Sequence, residues 1–314
     1  MSLRTGTVLV AGSANLDFVV RAPHVPAPGE TVLGRDFATF PGGKGANQAV
    51  ASARAGAVPT RMLLALGEDP QATVLEQALA EAGVATQIVR VPGVASGTAF
   101  ICLSDSAENA ITVAPGANAG LRPHHLPSLR GVSHLLLQLE TPLDTVATFA
   151  RLARDAGVRV VLNAAPATTL PDGLLHDIDV LVVNEGELAT LAGGGTVAAQ
   201  AARLAVPCVV VTLGERGCFA RRGAELFLQP AFAIDPVDTT AAGDTFCGAL
   251  TARLSEHAGF ADALRFASAA SALACTRLGA QASIPARSDV DAWLATQADD
   301  PSRRAALAAY CGIS

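Results

Sequence analysis

The chain has 314 residues, half of them hydrophobic, enough for one large α/β domain or two smaller ones. A formal net charge of −6 without any basic cluster argues against nucleic acid or an anionic membrane surface as a partner. The six cysteines are scattered and have no metal or redox spacing, so we expect reduced thiols. The sequence shows no signal-peptide pattern and no apolar run of membrane length, so we expect a cytoplasmic protein.

The first predicted element is a buried strand over residues 8–12, a continuous apolar run that ends in small residues. Short strands of mixed polarity with Pro/Gly turns between them follow, and they are predicted at residues 17–20, 30–33, 98–102 and 110–113. These strands predict a small sheet separate from the core, built from about 15–41 and 97–114 and hereafter called the lid sheet.

Helical patterns cover residues 45–56 and 70–83. After residue 133, strands and helices alternate, with strands predicted at 134–139, 158–162, 180–183 and 207–213 and helices at 145–157, 185–192 and 197–204. This alternation predicts a doubly wound, mostly parallel α/β sheet with helices on both faces. We expect one domain over residues 1–314 with the lid sheet inserted in it; residues 303–313 predict a further helix, to which no role is assigned.

Several polar side chains come directly after predicted strands. In open parallel sheets, ligands bind beyond the carboxyl ends of the strands, so these residues are candidates for one polar cleft. Each of them alone is also typical of a turn or a helix cap. They are Asn15, Asp17, Glu140, Asn163, Asn184, Glu185, Glu187, Thr212 and Gly214.

The stretch from Asp238 to Leu250 places Asp244 at or inside a helix N-terminus, after small residues that let an anion approach the free amides. The helix dipole adds partial positive charge at the same point. An ionised aspartate there is suited to act as a general base on a hydroxyl that attacks a phosphoryl group. The simpler alternative is an N-cap aspartate.

A second glycine-rich stretch surrounds Lys44, the only lysine in the chain. Glycines on both sides of it allow close approach to a ligand, and a helix is predicted to begin near Ala46. The spacing is not that of a Walker A loop. No G-x-G-x-x-G sequence follows the first strand, which disfavours a dinucleotide-dependent oxidoreductase.

Together, Gly42-Gly43-Lys44-Gly45-Ala46-Asn47-Gln48 and Asp238-Thr239-Thr240-Ala241-Ala242-Gly243-Asp244 resemble the two signatures of the ribokinase family, the phosphofructokinase-B type carbohydrate kinases. The resemblance extends from about Val8 to Trp293, with both motifs in the family's order. It implies a ribokinase-like fold and an ATP-dependent sugar kinase whose lid sheet closes over the substrate.

The resemblance also implies roles for individual residues. Asp244 would be the catalytic base, and the amides of Ala241, Ala242 and Gly243, together with that of Asp244, would form an anion hole. The sugar would be bound by Asn15, Asp17, Gly43, Lys44, Asn47, Glu140 and Asp244. ATP would be bound by Asn184, Glu187, Thr212, Gly214, Gly217, Gly243 and Ser268.

Two ions and a partner are implied in the same way. Glu187 would help to order Mg²⁺ with the phosphates. Activating K⁺ would be held, mostly through carbonyl oxygens, by Asp238, Thr240, Ala274, Arg277, Gly279 and Ser283. Lid sheets of this type pair face to face, so a homodimer is expected.

The hypothesis is therefore ATP-dependent phosphorylation of the 5-hydroxyl of D-ribose. One alternative is a kinase for another sugar, a sugar phosphate or a nucleoside; a phosphorylated substrate would need extra cations near the lid, where Arg21 and Arg35 are the candidates. An alternative from another class is a non-catalytic sugar sensor on the same fold, which an intact Asp244 disfavours.

Overall fold

The computed structural model of the protein describes residues 6–104, 109–171 and 173–313. In these ranges thirteen strands form two sheets. The strands are β1 (Thr7–Ala11), β2 (Asn15–Ala22), β3 (Arg35–Gly42), β4 (Thr60–Leu66), β5 (Ala85–Arg90), β6 (Gly97–Ser104), β7 (Asn109–Ala114), β8 (Val132–Leu137), β9 (Arg159–Asn163), β10 (Val180–Asn184), β11 (Cys208–Thr212), β12 (Gly217–Arg222) and β13 (Glu225–Pro230).

Ten α-helices accompany the strands in the described ranges, and none is long and apolar enough to cross a bilayer. The helices are α1 (Lys44–Arg54), α2 (Pro70–Glu81), α3 (Leu143–Asp155), α4 (Glu185–Ala192), α5 (Val197–Arg203), α6 (Ala242–Ser255), α7 (Phe260–Ala274), α8 (Ala280–Ser283), α9 (Arg287–Leu294) and α10 (Pro301–Cys311).

The large sheet has nine strands in the order β13-β12-β11-β10-β9-β8-β1-β4-β5. All neighbours are parallel except β11–β12 and β12–β13, which form an antiparallel edge. Successive residues of a strand point to opposite faces, so a strand buried on both faces is apolar throughout. In β8, Leu136 packs into the core on one face while Leu135 and Leu137 pack into the core on the other. The predicted doubly wound sheet is confirmed.

Helices cover both faces of this sheet. Side chains of α1, α2, α6 and α7 form the first core cluster, and side chains of α3, α4, α5 and α10 belong to the second. The antiparallel edge and the strands β4 and β5 were not predicted. Their pairing depends on residues far away along the chain, which periodicity in a short window does not report.

The lid sheet has four strands in the order β3-β2-β6-β7, so the predicted second sheet is confirmed. Its strand β2 begins only four residues after β1 ends, which joins the lid sheet directly to the carboxyl edge of the large sheet. Because side chains alternate along a strand, Asp17 and Phe18 lie on opposite faces of the lid sheet. One of these faces therefore belongs to the polar cleft.

The predicted strand over residues 30–33 is wrong, because strand β3 begins later, at Arg35. Gly29 has a φ of 83°, and the Glu30 carboxylate accepts hydrogen bonds from the Ala27 amide and from His24. These contacts form a turn, and the side chain of Leu33 is 90% exposed. The apolar residues Val32 and Leu33 thus have no neighbouring strand in the described ranges to pack against.

Candidate active site

The polar residues predicted from strand ends do meet at one edge of the large sheet. β1, β8, β9, β10 and β11 are neighbours and run parallel, so their carboxyl ends lie side by side. Asn184 and Thr212, for example, are register partners at the ends of β10 and β11. The helix α6 begins at the same edge, because the side-chain amides of Asn47 and Gln48 on α1 reach Asp244 in its first turn.

Asp244 is held by two amide side chains. Its Oδ2 accepts a hydrogen bond from Asn47 Nδ2 and its Oδ1 accepts one from Gln48 Nε2, both at 2.9 Å. The side chain is only 7% exposed, and burial raises the pKa of its carboxyl. The positive charge of Lys44 and the two amide donors oppose that rise. A base with a raised pKa and a fixed orientation is suited to take a proton from a hydroxyl.

The amides at the start of α6 are mostly free. The Ala242 amide donates to the Thr239 carbonyl at 3.2 Å, whereas those of Ala241, Gly243 and Asp244 have no acceptor among the described residues. No heavy atom lies within 4 Å of the position that a Cβ on Gly243 would take. An oxyanion can therefore approach these three amides closely.

Two further carboxyl groups face the same site. Glu140 Oε2 accepts hydrogen bonds from Ser13 Oγ at 2.6 Å and from the Lys44 amide at 3.1 Å. Burial raises the pKa of Asp17 to about 7, with contributions from Glu140 and Asp244 and opposition from Lys44. The negative charge of Asp244 is the main cause of a raised Lys44 pKa. The site thus combines acceptors with one ammonium donor.

The raised pKa of Asp17 should make the stability of the ligand-free protein depend on pH. Its pKa is 3.8 without perturbation and about 7 in the folded protein, so the unfolded chain binds fewer protons than the folded protein in this interval. The free energy of unfolding should therefore fall as pH rises from about 4 to about 7. We expect Asp17→Asn to flatten that fall, measured as melting temperature against pH. If the variant showed the same dependence of melting temperature on pH as the unaltered protein, a group other than Asp17 would cause the fall in stability.

The three remaining predicted sugar residues lie beside these groups. Asn15 Oδ1 accepts from Asn118 Nδ2 at 2.8 Å, which orients the Asn15 amide. Asn47 is 5% exposed, and its Oδ1 is buried without a hydrogen-bond partner among the described residues. Gly43 has a φ of 86°, and a Cβ there would lie 2.7 Å from the Asn15 amide nitrogen. The Asn47 oxygen is thus an acceptor within the site that no protein donor uses among the described residues.

A cavity of about 940 Å³ opens next to the start of α6. It is lined by five of the seven predicted nucleotide residues: Thr212, Gly214, Gly217, Gly243 and Ser268. Gly217 has a φ of 113° and lies so close to β13 that a Cβ would be 2.1 Å from the Gln229 carbonyl oxygen. Phe232 also lines the cavity, and its ring centroid is 5.1 Å from that of Trp293. The volume is that of a site for a drug-sized or nucleotide ligand.

Asn184 and Glu187 are not among the residues that line this cavity. They cap α4 reciprocally: the Asn184 amide donates to Glu187 Oε2 at 2.8 Å, and the Glu187 amide donates to Asn184 Oδ1 at 2.9 Å. Burial raises the Glu187 pKa, while its bond to Asn184 and the charge of Lys44 lower it. Glu187 Oε1 has no hydrogen-bond partner among the described residues. A carboxylate oxygen of this kind is chemically suited to Mg²⁺ or to its water ligands.

The predicted K⁺ residues are partly brought together. Asp238 Oδ1 accepts from the Thr240 amide and Oδ2 accepts from the Gly279 amide, both at 2.9 Å. Burial raises the pKa of Asp238, but a bond from the Thr240 hydroxyl together with these two amide bonds outweighs it and lowers the pKa. The Arg277 amide donates to the Ala274 carbonyl at 3.3 Å. An ionised carboxylate in this position is chemically compatible with a monovalent cation.

Ser283 is separated from this group in its hydrogen bonding, since its Oγ donates to the Ala280 carbonyl at 2.9 Å. In the described ranges, no group of three or more His, Cys, Asp and Glu side chains is arranged to hold a metal ion. A site made of carbonyl oxygens would not form such a group.

Sequence reasoning missed the side chains that support the site. Gln48 is fully buried; its Nε2 bonds both Asp244 and Asn163, and its Oε1 accepts from Gln138 Nε2 at 2.6 Å. The available signal was helical spacing, since Lys44, Asn47 and Gln48 occupy positions i, i+3 and i+4 on one face of α1.

Comparison with known proteins identifies relatives that are carbohydrate kinases. Residues 6–287 match the pfkB family carbohydrate kinase profile. The ribokinase of Haemophilus influenzae is 40% identical over 296 residues, which cover 90% of this chain and 96% of that protein.

Two solved structures confirm the predicted ribokinase-like fold. Ribokinase from Thermotoga maritima has a TM-score of 0.87 and 36% identity, covering 93% of this chain and 100% of that one. Arabidopsis thaliana ribokinase complexed with ribose and ATP has a TM-score of 0.86 and 33% identity, covering 94% of this chain and 100% of that one. The chain therefore belongs to the pfkB family of carbohydrate kinases.

Proposed function

We propose that this protein phosphorylates the 5-hydroxyl of D-ribose with ATP, giving D-ribose 5-phosphate and ADP. The observation that carries the proposal is the position of Asp244. This buried carboxyl group is held at both oxygens by amides 2.9 Å away, in the first turn of a helix that borders a cavity of about 940 Å³. A sugar hydroxyl and a terminal phosphate can therefore meet beside it.

In the proposed reaction, Asp244 takes the proton of the sugar 5-hydroxyl as its oxygen attacks the γ-phosphorus of ATP. The bond from that phosphorus to the β,γ-bridging oxygen breaks, and ADP leaves with the bond's electron pair. The free amides of Ala241, Gly243 and Asp244 stabilise the charge on the transferring phosphoryl oxygens, and the Ala242 amide joins them if its bond to Thr239 opens.

The remaining polar groups are proposed to hold the sugar. Vicinal hydroxyls need acceptors and donors together, and Asp17 and Glu140 accept while Lys44, Asn15 and Asn47 donate. Each of these residues is buried or half-buried. A hydroxyl missing from the substrate would leave one of them unpaired, which is how such a site discriminates between sugars.

Two ions are part of the proposal. When bound, Mg²⁺ would neutralise charge on the ATP phosphates, and we propose that Glu187 helps to order it or its water ligands. K⁺ would be held near Asp238, Thr240, Ala274, Arg277, Gly279 and Ser283, steadying the segment that leads into α6. A cytoplasmic location agrees with six free cysteines.

The activity is tested by measuring ADP release against a panel of pentoses, hexoses, sugar phosphates and nucleosides, in potassium and then in sodium. We expect the highest kcat/KM with D-ribose and higher activity in potassium. A higher value with another substrate would favour the alternative kinase. No ADP release above the sugar-free background, with sugar binding retained, would favour the sugar sensor.

We propose that the chain is one domain whose lid sheet closes over the sugar, and that two lid sheets pair in a homodimer. The outer lid face consists of Phe18, Val20, Phe37 and Phe100, opposite to the face that carries Asp17. Phe37 is 66% exposed and Phe100 is 55% exposed, and both rings stack with Phe18. Contiguous exposed aromatic rings of this kind are typical of an interface.

Placing charges on the outer lid face should separate the dimer. We expect a protein that carries Phe37→Asp and Phe100→Asp together to be monomeric by light scattering, because a dimer would bury two unpaired carboxylates in each subunit. Leu226→Asp is the control, since Leu226 is 49% exposed on β13, at the far edge of the large sheet. A double variant that stays dimeric would place the interface elsewhere.

A further inference from the structure

The C-terminal helix α10 lies against the cavity that the proposed function assigns to ATP. Four of its residues line that cavity: Arg303, Ala306, Leu307 and Tyr310. They are spaced at i, i+3, i+4 and i+7, which is one face of a helix. The helix lies beyond residue 287, where the match to the family profile ends. It is thus an element of this chain that the family match does not explain.

The helix is anchored on the body of the protein. Leu307 is 3% exposed and Cys311 is fully buried, and both belong to the second core cluster. At its N-terminal end, Arg303 Nη1 donates to the Ala231 carbonyl at 3.1 Å, directly after β13. Burial of apolar side chains such as Leu307 stabilises the docked helix. The helix is therefore a fixed wall of the cavity.

The C-terminal end of α10 contacts two segments of the predicted nucleotide site, the start of α4 and the segment after β11. The Tyr310 hydroxyl donates to Glu185 Oε1 at 2.5 Å, and the guanidinium carbon of Arg216 lies 4.3 Å from the Tyr310 ring centroid. Glu185 directly follows Asn184, and Arg216 lies between Gly214 and Gly217. One tyrosine thus connects α10 to the segments that follow β10 and β11.

The elements around the cavity indicate where the phosphates and where the nucleoside of a bound nucleotide would lie. α6 packs on the first face of the large sheet, whereas α10 packs on the second. The free amides at the start of α6 take the phosphates. The part of the cavity that remains is lined by α7, by the segment after β13 and by α10, and it is left for the nucleoside. Small or apolar side chains of α10 such as Ala306 and Leu307 suit a flat base.

We propose that α10 forms the nucleoside wall of the ATP site, with Ala306 and Leu307 against the nucleoside and Tyr310 as the residue that positions the helix. The inference rests on the proposed use of ATP. It predicts that α10 affects nucleotide binding without affecting sugar binding, because the sugar-binding residues lie on or next to α1, on α6, on the lid sheet and in the loop after β8.

The test compares two matched variants on the same helix. Ala306 and Ala305 are both exposed, but only Ala306 lines the cavity. We expect Ala306→Phe to weaken binding of ATP and of ADP by about tenfold or more, measured by calorimetry without sugar, because the ring would occupy nucleoside space. Ala305→Phe should bind both nucleotides like the unaltered protein, and both variants should keep its affinity for ribose.

A second variant tests the positioning role. Tyr310→Phe removes the hydroxyl bond to Glu185 and keeps the ring beneath Arg216. We expect the KM for ATP to rise by about threefold or more with an unchanged kcat and sugar KM, since the lost hydrogen bond to a charged group no longer holds the helix in position. An unchanged KM for ATP would remove Tyr310 from this role.

The outcomes separate the inference from the function on which it rests. If the unaltered protein binds ATP and Ala306→Phe binds it equally well, α10 is not the nucleoside wall, although the kinase assignment stands. If the unaltered protein binds neither ATP nor ADP, both the inference and the proposed function are wrong. Equal weakening by Ala305→Phe would also contradict the inference, because the effect would not depend on the cavity face.

Discussion

Asp244→Asn is expected to lower kcat by about 10²- to 10⁴-fold while ribose still binds, because the variant keeps the shape of the site but loses its base. The fold should tolerate the change. The substituted side chain would present one oxygen and one NH₂ group, and the Asn47 amide can turn to offer its unpartnered Oδ1 to that NH₂ group. Turnover is measured as ADP release and ribose binding by calorimetry.

The matched control for this variant is Asp262→Asn. Asp262 is also in the first turn of a helix, α7, but its side chain is exposed and away from the cavity. Its removal should leave kcat unchanged. If Asp244→Asn turned over at a nearly normal rate, Asp244 would not be the base, whatever its position.

Gly45→Ala is expected to have the second large effect, a loss of sugar affinity together with a loss of stability. A Cβ on Gly45 would lie 2.6 Å from the Ser13 amide nitrogen and 2.7 Å from the Gly12 carbonyl carbon. These are backbone atoms, so the segment between β1 and β2 must move. That movement would displace Ser13 from Glu140 and shift Asn15.

We expect Gly45→Ala to lower the free energy of unfolding by about 1–3 kcal/mol, as overpacked sites do, and to weaken ribose binding by about tenfold or more. Denaturant unfolding and calorimetry measure the two effects. Gly194→Ala is the control, since a Cβ there meets nothing within 4 Å and its φ is not positive. Normal ribose affinity in Gly45→Ala would show that the approach of α1 to this segment is not needed for the site.

Much of the fold was predictable because its elements carry local signals. The alternation of apolar strands and amphipathic helices after residue 133 predicted the parallel sheet. Asp244 and Lys44 stood out because each interrupts a run of small residues at a helix start. The two motifs then predicted the family, which the match over residues 6–287 confirms.

The rest depends on contacts between distant segments. Gln48 is important for its bonds to Gln138, Asn163 and Asp244, residues that are between 90 and 196 positions away. A single sequence gives no measure of such contacts. The turn at Gly29 illustrates the opposite failure, because residues 30–33 fitted the pattern of a short strand of mixed polarity without having a neighbouring strand in the described ranges.

The contact between Phe232 and Trp293 should make intrinsic tryptophan fluorescence sensitive to what binds in the cavity. Trp293 is the only tryptophan, and the ring beside it forms part of the cavity wall. Fluorescence excited at the indole therefore comes from one place in the molecule. Quenching or a spectral shift of this fluorescence on adding a purine nucleotide would measure occupancy of the cavity without a dye or a coupling enzyme.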